Sequence, residues 1–133
     1  MRKITFFLAF CLALSSCTNE EKSLDIALQG TWNMTEIQGS LSKPTTYEYG
    51  KILWVFDLNQ KKLTITNTIK GLISTGNGFS NNETGVYFFT IEEENEEKIL
   101  VVGDRKGKIS LLEDTLKINY GLEFDDVLYI LKR

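Results

Sequence analysis

Carboxylate side chains are clustered at two places in the sequence, and each cluster contains the residue types for a particular chemistry. The segment Glu92–Glu97 holds five glutamates that could attract calcium, but their spacing does not match an EF-hand loop. A solvated hairpin tip is the favoured interpretation. Glu123, Asp125 and Asp126 could supply the paired carboxylates of a glycosidase, yet no partner group is identifiable and a turn is favoured. We therefore predict neither a metal site nor a catalytic site.

Aromatic side chains at alternating positions are the stronger candidates for a binding role. In a barrel, such side chains line a cavity or fill the core, and the core is the default for Trp54 and Tyr87 taken singly. Tyr47 and Tyr49 lie in a long segment without a strand pattern, which favours a place at the mouth of a cavity. Phe79 lies in a segment rich in Gly, Ser and Asn and could cover a cavity or pack on its rim. These five residues are the predicted ligand-binding set.

Histidine is absent from the sequence, and there are only two cysteines, Cys11 and Cys17. The absence of histidine excludes Ser-His-Asp catalysis, Cys-His catalysis and every zinc site that depends on histidine. We therefore expect a protein that is not an enzyme and that needs no cofactor.

The N-terminus has the pattern of a signal peptide. Arg2 and Lys3 precede an apolar run of 11 residues, Ile4–Leu14, whereas a helix needs about 20 apolar residues to span a bilayer. The residues that follow, Leu14–Cys17 (LSSC), resemble the lipobox of bacterial lipoproteins. This resemblance implies that diacylglycerol alkylates the Cys17 thiol, that cleavage occurs just before Cys17, and that the new amino group is acylated. An ordinary secretory signal with a chance cysteine is the alternative.

With this processing, residues 1–16 form the signal peptide, residues 17–22 a lipidated flexible tether and residues 23–133 one folded domain. Several acyl chains together hold a protein firmly in a membrane. Glu20 and Glu21 resemble the acidic export signal of Bacteroidetes lipoproteins, which directs them to the cell surface. We expect an outer-membrane anchor, with the cell surface and the periplasmic face both left open.

The processed chain has an acidic balance. Removal of residues 1–16 takes away Arg2 and Lys3 and leaves 13 basic and 18 acidic residues, a net charge of −5. This balance argues against a nucleic-acid partner, because affinity for nucleic acid comes from neutralising phosphates. With Cys11 removed and Cys17 lipidated, no thiol is left for a disulfide or a metal site. We expect a monomer stabilised by its apolar core.

Period-two alternation of apolar residues begins after Gly30 and predicts β-strands. Eight strands are predicted, around residues 32–36, 52–56, 63–68, 86–91, 99–102, 109–111, 116–120 and 127–131. Short links, among them Gly103–Gly107, favour antiparallel neighbours. The fold class predicted is all-β, an eight-stranded antiparallel up-and-down barrel, because closure removes exposed edges. A β-sandwich is the runner-up.

Two local features complete this expectation. Residues Ser23–Gln29 are predicted to form one helical turn, capped by Ser23 and ended by Gly30, that plugs an end of the barrel. In the first strand, strict alternation places Trp32, Met34 and Glu36 on one face.

The phrase Gly30-Thr31-Trp32, after the helical turn and at the start of the first strand, resembles the G-x-W signature of lipocalins. Residues 28–133 look like the lipocalin-like domains of small Bacteroidetes lipoproteins, which begin with an L-x-G-T-W phrase and end in a strand with a basic residue. The resemblance implies that Trp32 fills the closed end and that a basic side chain lies across its ring. Arg133 is preferred to Lys132 for this role, and Gly30 is expected to let the helical turn pack close to the strand.

Two binding functions are compatible with this resemblance. The first is binding of a small hydrophobic or amphipathic ligand inside the barrel. The second is a protein-binding module, an inhibitor or a partner in an envelope complex, that uses the loops at the barrel mouth; the fold alone does not decide between them. An open apolar cavity favours a ligand, whereas a filled barrel with an exposed apolar loop patch favours a partner.

Overall fold

The computed structural model describes residues 23–70, 82–124 and 126–133, and these contain one short helix, a 3-10 turn and nine β-strands. The helix α1 is Leu24–Leu28, and the 3-10 turn is Leu122–Phe124. The strands are β1 (Gly30–Gly39), β2 (Thr45–Thr46), β3 (Ile52–Asp57), β4 (Lys62–Asn67), β5 (Gly85–Glu94), β6 (Glu97–Val102), β7 (Arg105–Leu112), β8 (Thr115–Asn119) and β9 (Val127–Lys132). Within these residues, no helix is long and apolar enough to cross a membrane.

Eight of the strands close into an antiparallel barrel. β1 pairs with β3, each later strand pairs with the next one along the chain, and β9 returns to β1. The closing pairing runs from Asn33 opposite Lys132 to Gly39 opposite Val127. The predicted all-β up-and-down barrel is therefore confirmed, and the alternative of a β-sandwich is wrong because a single continuous sheet joins its own ends.

The interior of the barrel is filled by the inward-facing side chains of these strands. On β3, for example, Ile52, Trp54 and Phe56 are buried, whereas Val55 between them is exposed. Twelve of the described residues are apolar and less than 2% exposed: Leu28, Trp32, Met34, Ile52, Trp54, Phe56, Leu63, Ile65, Leu100, Leu116, Ile118 and Leu131. A barrel of eight strands is just wide enough for its side chains to fill it, and here large apolar groups do so.

A β-bulge in β1 changes which of its residues face the interior. Where β1 pairs with β9, the register shifts by one residue between Met34 and Glu36. Glu36 therefore does not share the inward face of Trp32 and Met34, as strict alternation predicted. Ile37 takes the next inward position and packs against the core. The bulge thus avoids the burial of an unpaired carboxylate, which is costly.

Two connections differ from the sequence-based expectation. The strands β6 and β7 are joined by Gly103 and Asp104 alone, with Gly103 at a φ of +61°, so Arg105 belongs to β7 and not to a loop. The long segment after β1 contains a short extra strand, β2, which pairs with Glu36 and Ile37. The barrel therefore has eight strands as predicted, plus one that the alternation pattern did not show.

The helical turn α1 lies where the sequence predicted it, but its ends are made differently. Ser23 makes no side-chain capping hydrogen bond, so the predicted cap is wrong, and instead its carbonyl accepts the Ala27 amide at 3.0 Å. A helix this short is not stable alone. Burial of Leu28 in the core therefore provides its stability.

Candidate functional site

The closed end of the barrel is built around Trp32, which is fully buried. Its indole Nε1 donates a hydrogen bond to the carbonyl oxygen of Leu28 at 2.9 Å and ties α1 to β1. The guanidinium carbon of Arg133 lies 4.1 Å from the centroid of the Trp32 ring, and Arg133 also donates to the carbonyl of Ala27. Arg133, and not Lys132, thus lies across the ring, and these contacts seal this end.

Gly30 is needed at the closed end for a reason other than the predicted one. A β-carbon built on it meets no atom within 4 Å, so close packing of α1 is not what requires glycine here. Its φ of +109° is the cause, because side chains with a β-carbon rarely adopt that backbone conformation. The sharp change of direction between α1 and β1 depends on this angle.

The end of the barrel opposite Trp32, where β5, β7 and β9 begin, is called the open end below, and among the described residues it carries polar groups that face the interior. The indole Nε1 of Trp54 donates to the side-chain oxygen of Asn82 at 2.8 Å, and both residues are buried. The carbonyl of Asn82 accepts the side-chain amide of Asn67 at 3.0 Å. Asn82 has a φ of +54°, in the left-handed region that asparagine tolerates better than most residues. The chain entering β5 therefore inserts a polar side chain into the open end.

Arg105 is a cation at this open end. Its Nη2 donates to Oδ1 of Asp126 at 2.9 Å, and its guanidinium carbon lies 4.6 Å from the centroid of the Tyr120 ring. The Arg105 side chain is 26% exposed, yet its Nε is buried and has no hydrogen-bond partner among the described residues. Asp126 Oδ1 also accepts the backbone amide of Val127 at 2.9 Å. A buried donor without a partner is rare in folded proteins.

An aromatic cluster lies beneath these polar groups and fills the middle of the barrel. Tyr129 contacts Tyr120 at a centroid distance of 5.3 Å and Trp54 at 5.8 Å. Phe56 continues the cluster, 6.1 Å from Trp54 and 5.4 Å from Phe89, with edge-to-face or tilted ring pairs that stabilise a core. The described aromatic side chains therefore fill the middle of the barrel below Arg105.

Gly107 makes room for one of these rings. A β-carbon at this position would lie 2.6 Å from Cγ2 of Ile118 and 2.8 Å from Cε1 of Tyr120. Glycine at this position of β7 thus lets the Tyr120 ring approach the strand closely, beside Arg105. The ring and the guanidinium owe their arrangement to this missing side chain.

Burial controls the ionisation of the two inner tyrosines. Desolvation raises the pKa of Tyr129 to about 12, while the Arg105 charge and a hydrogen bond with Asn82 oppose the shift. Desolvation also raises the pKa of Tyr120, further than that of Tyr129, with a contribution from Tyr129 itself. Both phenols are neutral at neutral pH and present hydrogen-bonding groups instead of charge.

We expect the protein to lose stability between pH 10 and pH 12 in part through Tyr129. An unfolded tyrosine ionises near pH 10, whereas folded Tyr129 keeps its proton to about pH 12. Between these values the unfolded state binds fewer protons, so the free energy of unfolding falls as pH rises, by up to about 1.4 kcal/mol per pH unit for one tyrosine. The stabilising effect is fully present below pH 10.

Urea unfolding at pH 9, 10 and 11 measures this fall, and Tyr129→Phe should make it shallower. Lysines that titrate in the same range affect both proteins alike, so the comparison isolates the tyrosine. Equal slopes for the two proteins would contradict the assignment.

The predicted ligand-binding aromatics occupy different places and do not form one site. Trp54 is buried and bonded to Asn82, and Tyr47 is half-buried against the core. The phenol of Tyr87 donates to the carbonyl of Glu83 at 2.9 Å. Tyr49 is 57% exposed. The fifth residue, Phe79, lies outside the described residues, as does Cys17.

Sequence reasoning missed three residues of the open end as a group: Asn82, Arg105 and Asp126. Asp126 was considered only as part of a carboxylate pair, and Arg105 was assigned to a loop. The signal for Arg105 was its alternation with Gly107 and Ile109, which places it on the inward face of β7.

The two carboxylate clusters are engaged in surface ion pairs and turns. Residues Glu92–Glu97 form the end of the β5–β6 hairpin, where Lys106 binds Glu92 at 2.8 Å and Glu94 at 3.0 Å. A hydrogen bond with Lys98 lowers the pKa of Glu93. At the other cluster, Glu123 accepts a hydrogen bond from Asn119 at 3.2 Å, and Asp125 lies outside the described residues. Within the described part of the chain, no three metal-ligating side chains come together.

The fold and its two ends define a closed eight-stranded antiparallel β-barrel, consistent with a calycin-like fold. No protein-family model matches the sequence, and no curated protein matches it. Among solved structures, a crystal structure of an uncharacterized protein from Bacteroides eggerthii is similar to this chain. The match has a TM-score of 0.49 and 11% sequence identity, and covers 80% of this chain and 98% of that one.

Proposed function

We propose that the protein is an outer-membrane-anchored lipoprotein whose lipocalin-like barrel binds a small hydrophobic or amphipathic ligand at its open end. Cys17 carries the lipid, residues 17–22 form the tether and the barrel is the binding domain. The proposal assigns no catalytic activity to the protein.

The observation that supports this proposal is the cluster of polar groups at the open end of an otherwise apolar interior. Burial of polar groups is unfavourable unless they are well bonded, and an apolar filling would serve a purely structural barrel better. Ligand sites typically combine apolar and aromatic walls with a few placed polar groups. Asn82 and Arg105 provide such polar groups, and the aromatic cluster beneath them includes the phenols of Tyr120 and Tyr129.

The filled middle of the barrel restricts the size of the ligand. Trp54, Phe56 and Tyr129 block the passage toward the closed end. We therefore propose a ligand that binds at the rim of the barrel with its polar part directed inward, and not a ligand that is fully enclosed in the barrel.

Native mass spectrometry of the protein, purified from its own cell envelope, tests this function. We expect a population with a mass excess of one small molecule that is released on denaturation. A spectrum that contains only the processed, lipidated chain would argue against a tightly bound ligand.

The anchor is tested separately through Cys17. We expect Cys17→Ala to abolish lipidation, so that the protein leaves the membrane fraction or accumulates as an uncleaved precursor. Fractionation and immunoblotting measure this, with Ser16→Ala as the matched control because alanine preserves a small residue before Cys17. Normal processing and unchanged fractionation of Cys17→Ala would contradict the lipoprotein assignment.

A protein-binding module is the second candidate function, and by the criterion given above the filled interior and the exposed apolar side chains both favour it. Leu41 and Phe124, on the loops at the barrel mouth, are 92% and 83% exposed. On the outer wall, Val86 and Phe88 are also exposed, beside a shallow groove of 190 Å³ lined in part by Val101. Apolar patches of this kind mark interaction surfaces. Crosslinking through a photoreactive amino acid at Phe124, followed by identification of a specific partner, would support this function.

A further inference from the structure

We propose that Arg105 binds the acid group of an amphipathic carboxylic acid, and that Asp126 occupies the same guanidinium when no ligand is bound. This inference rests on the proposed function, since it names the chemical class of the ligand at the open end. Asp126 then competes with the ligand for Arg105, because its carboxylate occupies the position that the ligand's carboxylate would take.

The geometry of the guanidinium leaves capacity for a second partner. Asp126 is bonded to Nη2 at 2.9 Å. Nε and Nη2 form one edge of the guanidinium, and in many complexes this edge binds both oxygens of a carboxylate. In Arg105, Nε is buried and has no hydrogen-bond partner among the described residues. A guanidinium binds a carboxylate best through two parallel hydrogen bonds. An arriving acid that bonds Nε as well as Nη2 would satisfy a donor that Asp126 leaves unsatisfied.

Asp126 can give up the guanidinium at little cost. Its Oδ1 also accepts the Val127 backbone amide at 2.9 Å, so the carboxylate keeps a partner after it releases Arg105. Its side chain is 35% exposed, which lets water solvate it after displacement. The ion pair between Arg105 and Asp126 can therefore be exchanged for another carboxylate, unlike a fully buried ion pair.

The surroundings of Arg105 favour an amphipathic acid over a small inorganic anion. One face of the guanidinium is covered by the Tyr120 ring at 4.6 Å, and Phe124, in the turn that leads to Asp126, is 83% exposed. A β-carbon on Gly121 would lie 3.6 Å from the Asp126 β-carbon and 4.0 Å from that of Phe124, so both side chains leave the same turn. An apolar tail attached to the acid would therefore lie against Phe124, since the aromatic floor blocks a deeper path.

The test compares octanoate with 1-octanol, which have equal chain lengths and differ in the acid group. Binding of each to the full-length protein at pH 7 is measured by ligand-observed NMR. We expect octanoate to bind at least about tenfold more tightly than 1-octanol, as a charge-assisted bidentate contact provides. Arg105→Gln should erase this preference, and Arg105→Lys, which keeps the charge without the fork, should retain only part of it.

Two further variants make the result specific. Asp126→Asn removes the competing charge, so we expect it to strengthen octanoate binding several-fold. Lys106→Gln removes the neighbouring cation, which points outward into an ion pair with Glu92, and should leave the preference for octanoate unchanged.

The outcomes separate this inference from the proposed function. Binding of both probes with equal affinity, or a preference that survives Arg105→Gln, would overturn the acid-binding role and leave the ligand-binding function standing. Weaker octanoate binding by Asp126→Asn would overturn the role of Asp126 as a competitor. Binding of neither probe to the wild-type protein would overturn both the inference and a small amphipathic ligand as the function.

Discussion

Trp32→Ala should lower the free energy of unfolding by about 3–5 kcal/mol, the cost of truncating a large aromatic side chain in a core. Trp32 is fully buried, its Nε1 holds the Leu28 carbonyl and its ring supports Arg133. One substitution therefore opens a cavity and frees both α1 and the end of β9. A small domain has only about 5–15 kcal/mol in total, so the urea midpoint should fall steeply or soluble expression should be lost.

Two further variants provide reference values for the loss of stability in Trp32→Ala. Arg133→Ala removes the cation above the ring and should cost on the order of 1 kcal/mol, because the contact is partly exposed. Phe124→Ala, an aromatic truncation at an exposed position, should stay within about 0.5 kcal/mol of wild type. Equilibrium urea unfolding ranks the three variants. A Trp32→Ala protein as stable as the Phe124→Ala protein would refute the role of Trp32 as the anchor of the closed end.

Gly107→Ala should destabilise the barrel by about 1–3 kcal/mol, as overpacking of a filled core does. The added carbon would lie 2.6 Å from Ile118 and 2.8 Å from Tyr120. Ile118 pairs with Ile109 in the β7–β8 ladder and Tyr120 directly follows β8, so movement of either side chain would disturb the packing between these strands. The Tyr120 ring should be displaced from Arg105, with a change in the near-ultraviolet circular dichroism.

Gly85→Ala is the matched control for this change. There the nearest atoms to an added β-carbon belong to the Tyr87 ring, at 3.2 Å or more, at the end of a side chain that can shift. We expect a small change in the urea midpoint. Equal destabilisation by the two substitutions would show that loss of glycine in a strand, and not contact with Tyr120, explains the effect.

Much of the fold was predictable because its determinants are local. The alternation of Ile52, Trp54 and Phe56 with their neighbours reports directly which side of a strand is buried. Short polar links between such strands leave only antiparallel neighbours. The phrase around Gly30 and Trp32 located the closed end for the same reason, since its residues are adjacent in the chain.

The features that the sequence did not reveal depend on pairing between distant strands. The bulge between Met34 and Glu36 exists only in the register of β1 against β9, almost a hundred residues further along. The short strand β2 likewise forms because β1 extends past its neighbour β3. Thr45 and Thr46 have β-strand propensity, but two residues are too few to show an alternation pattern.

The candidate site was hidden for a related reason. Asn82 precedes β5, Arg105 begins β7 and Asp126 precedes β9, so three separate connections bring these side chains to one end. Arg105 lies close to two glycines and a lysine in the sequence, a composition typical of a solvated turn. The two-residue connection at Gly103 instead places Arg105 in β7. Only the closed topology then shows which residues it faces.

The attachment of α1 to the closed end has a consequence for where the ligand comes from. Gln29 accepts the Leu58 amide at 2.8 Å, and Arg133 holds Ala27, so the chain enters the barrel at the face opposite Arg105. With Cys17 embedded in the bilayer as we propose, the six residues before Ser23 reach at most about 20 Å. The sealed base then rests near the lipid headgroups, and the rim points into the aqueous compartment. The protein would then bind molecules that diffuse in solution, instead of taking lipids directly from the membrane that holds it.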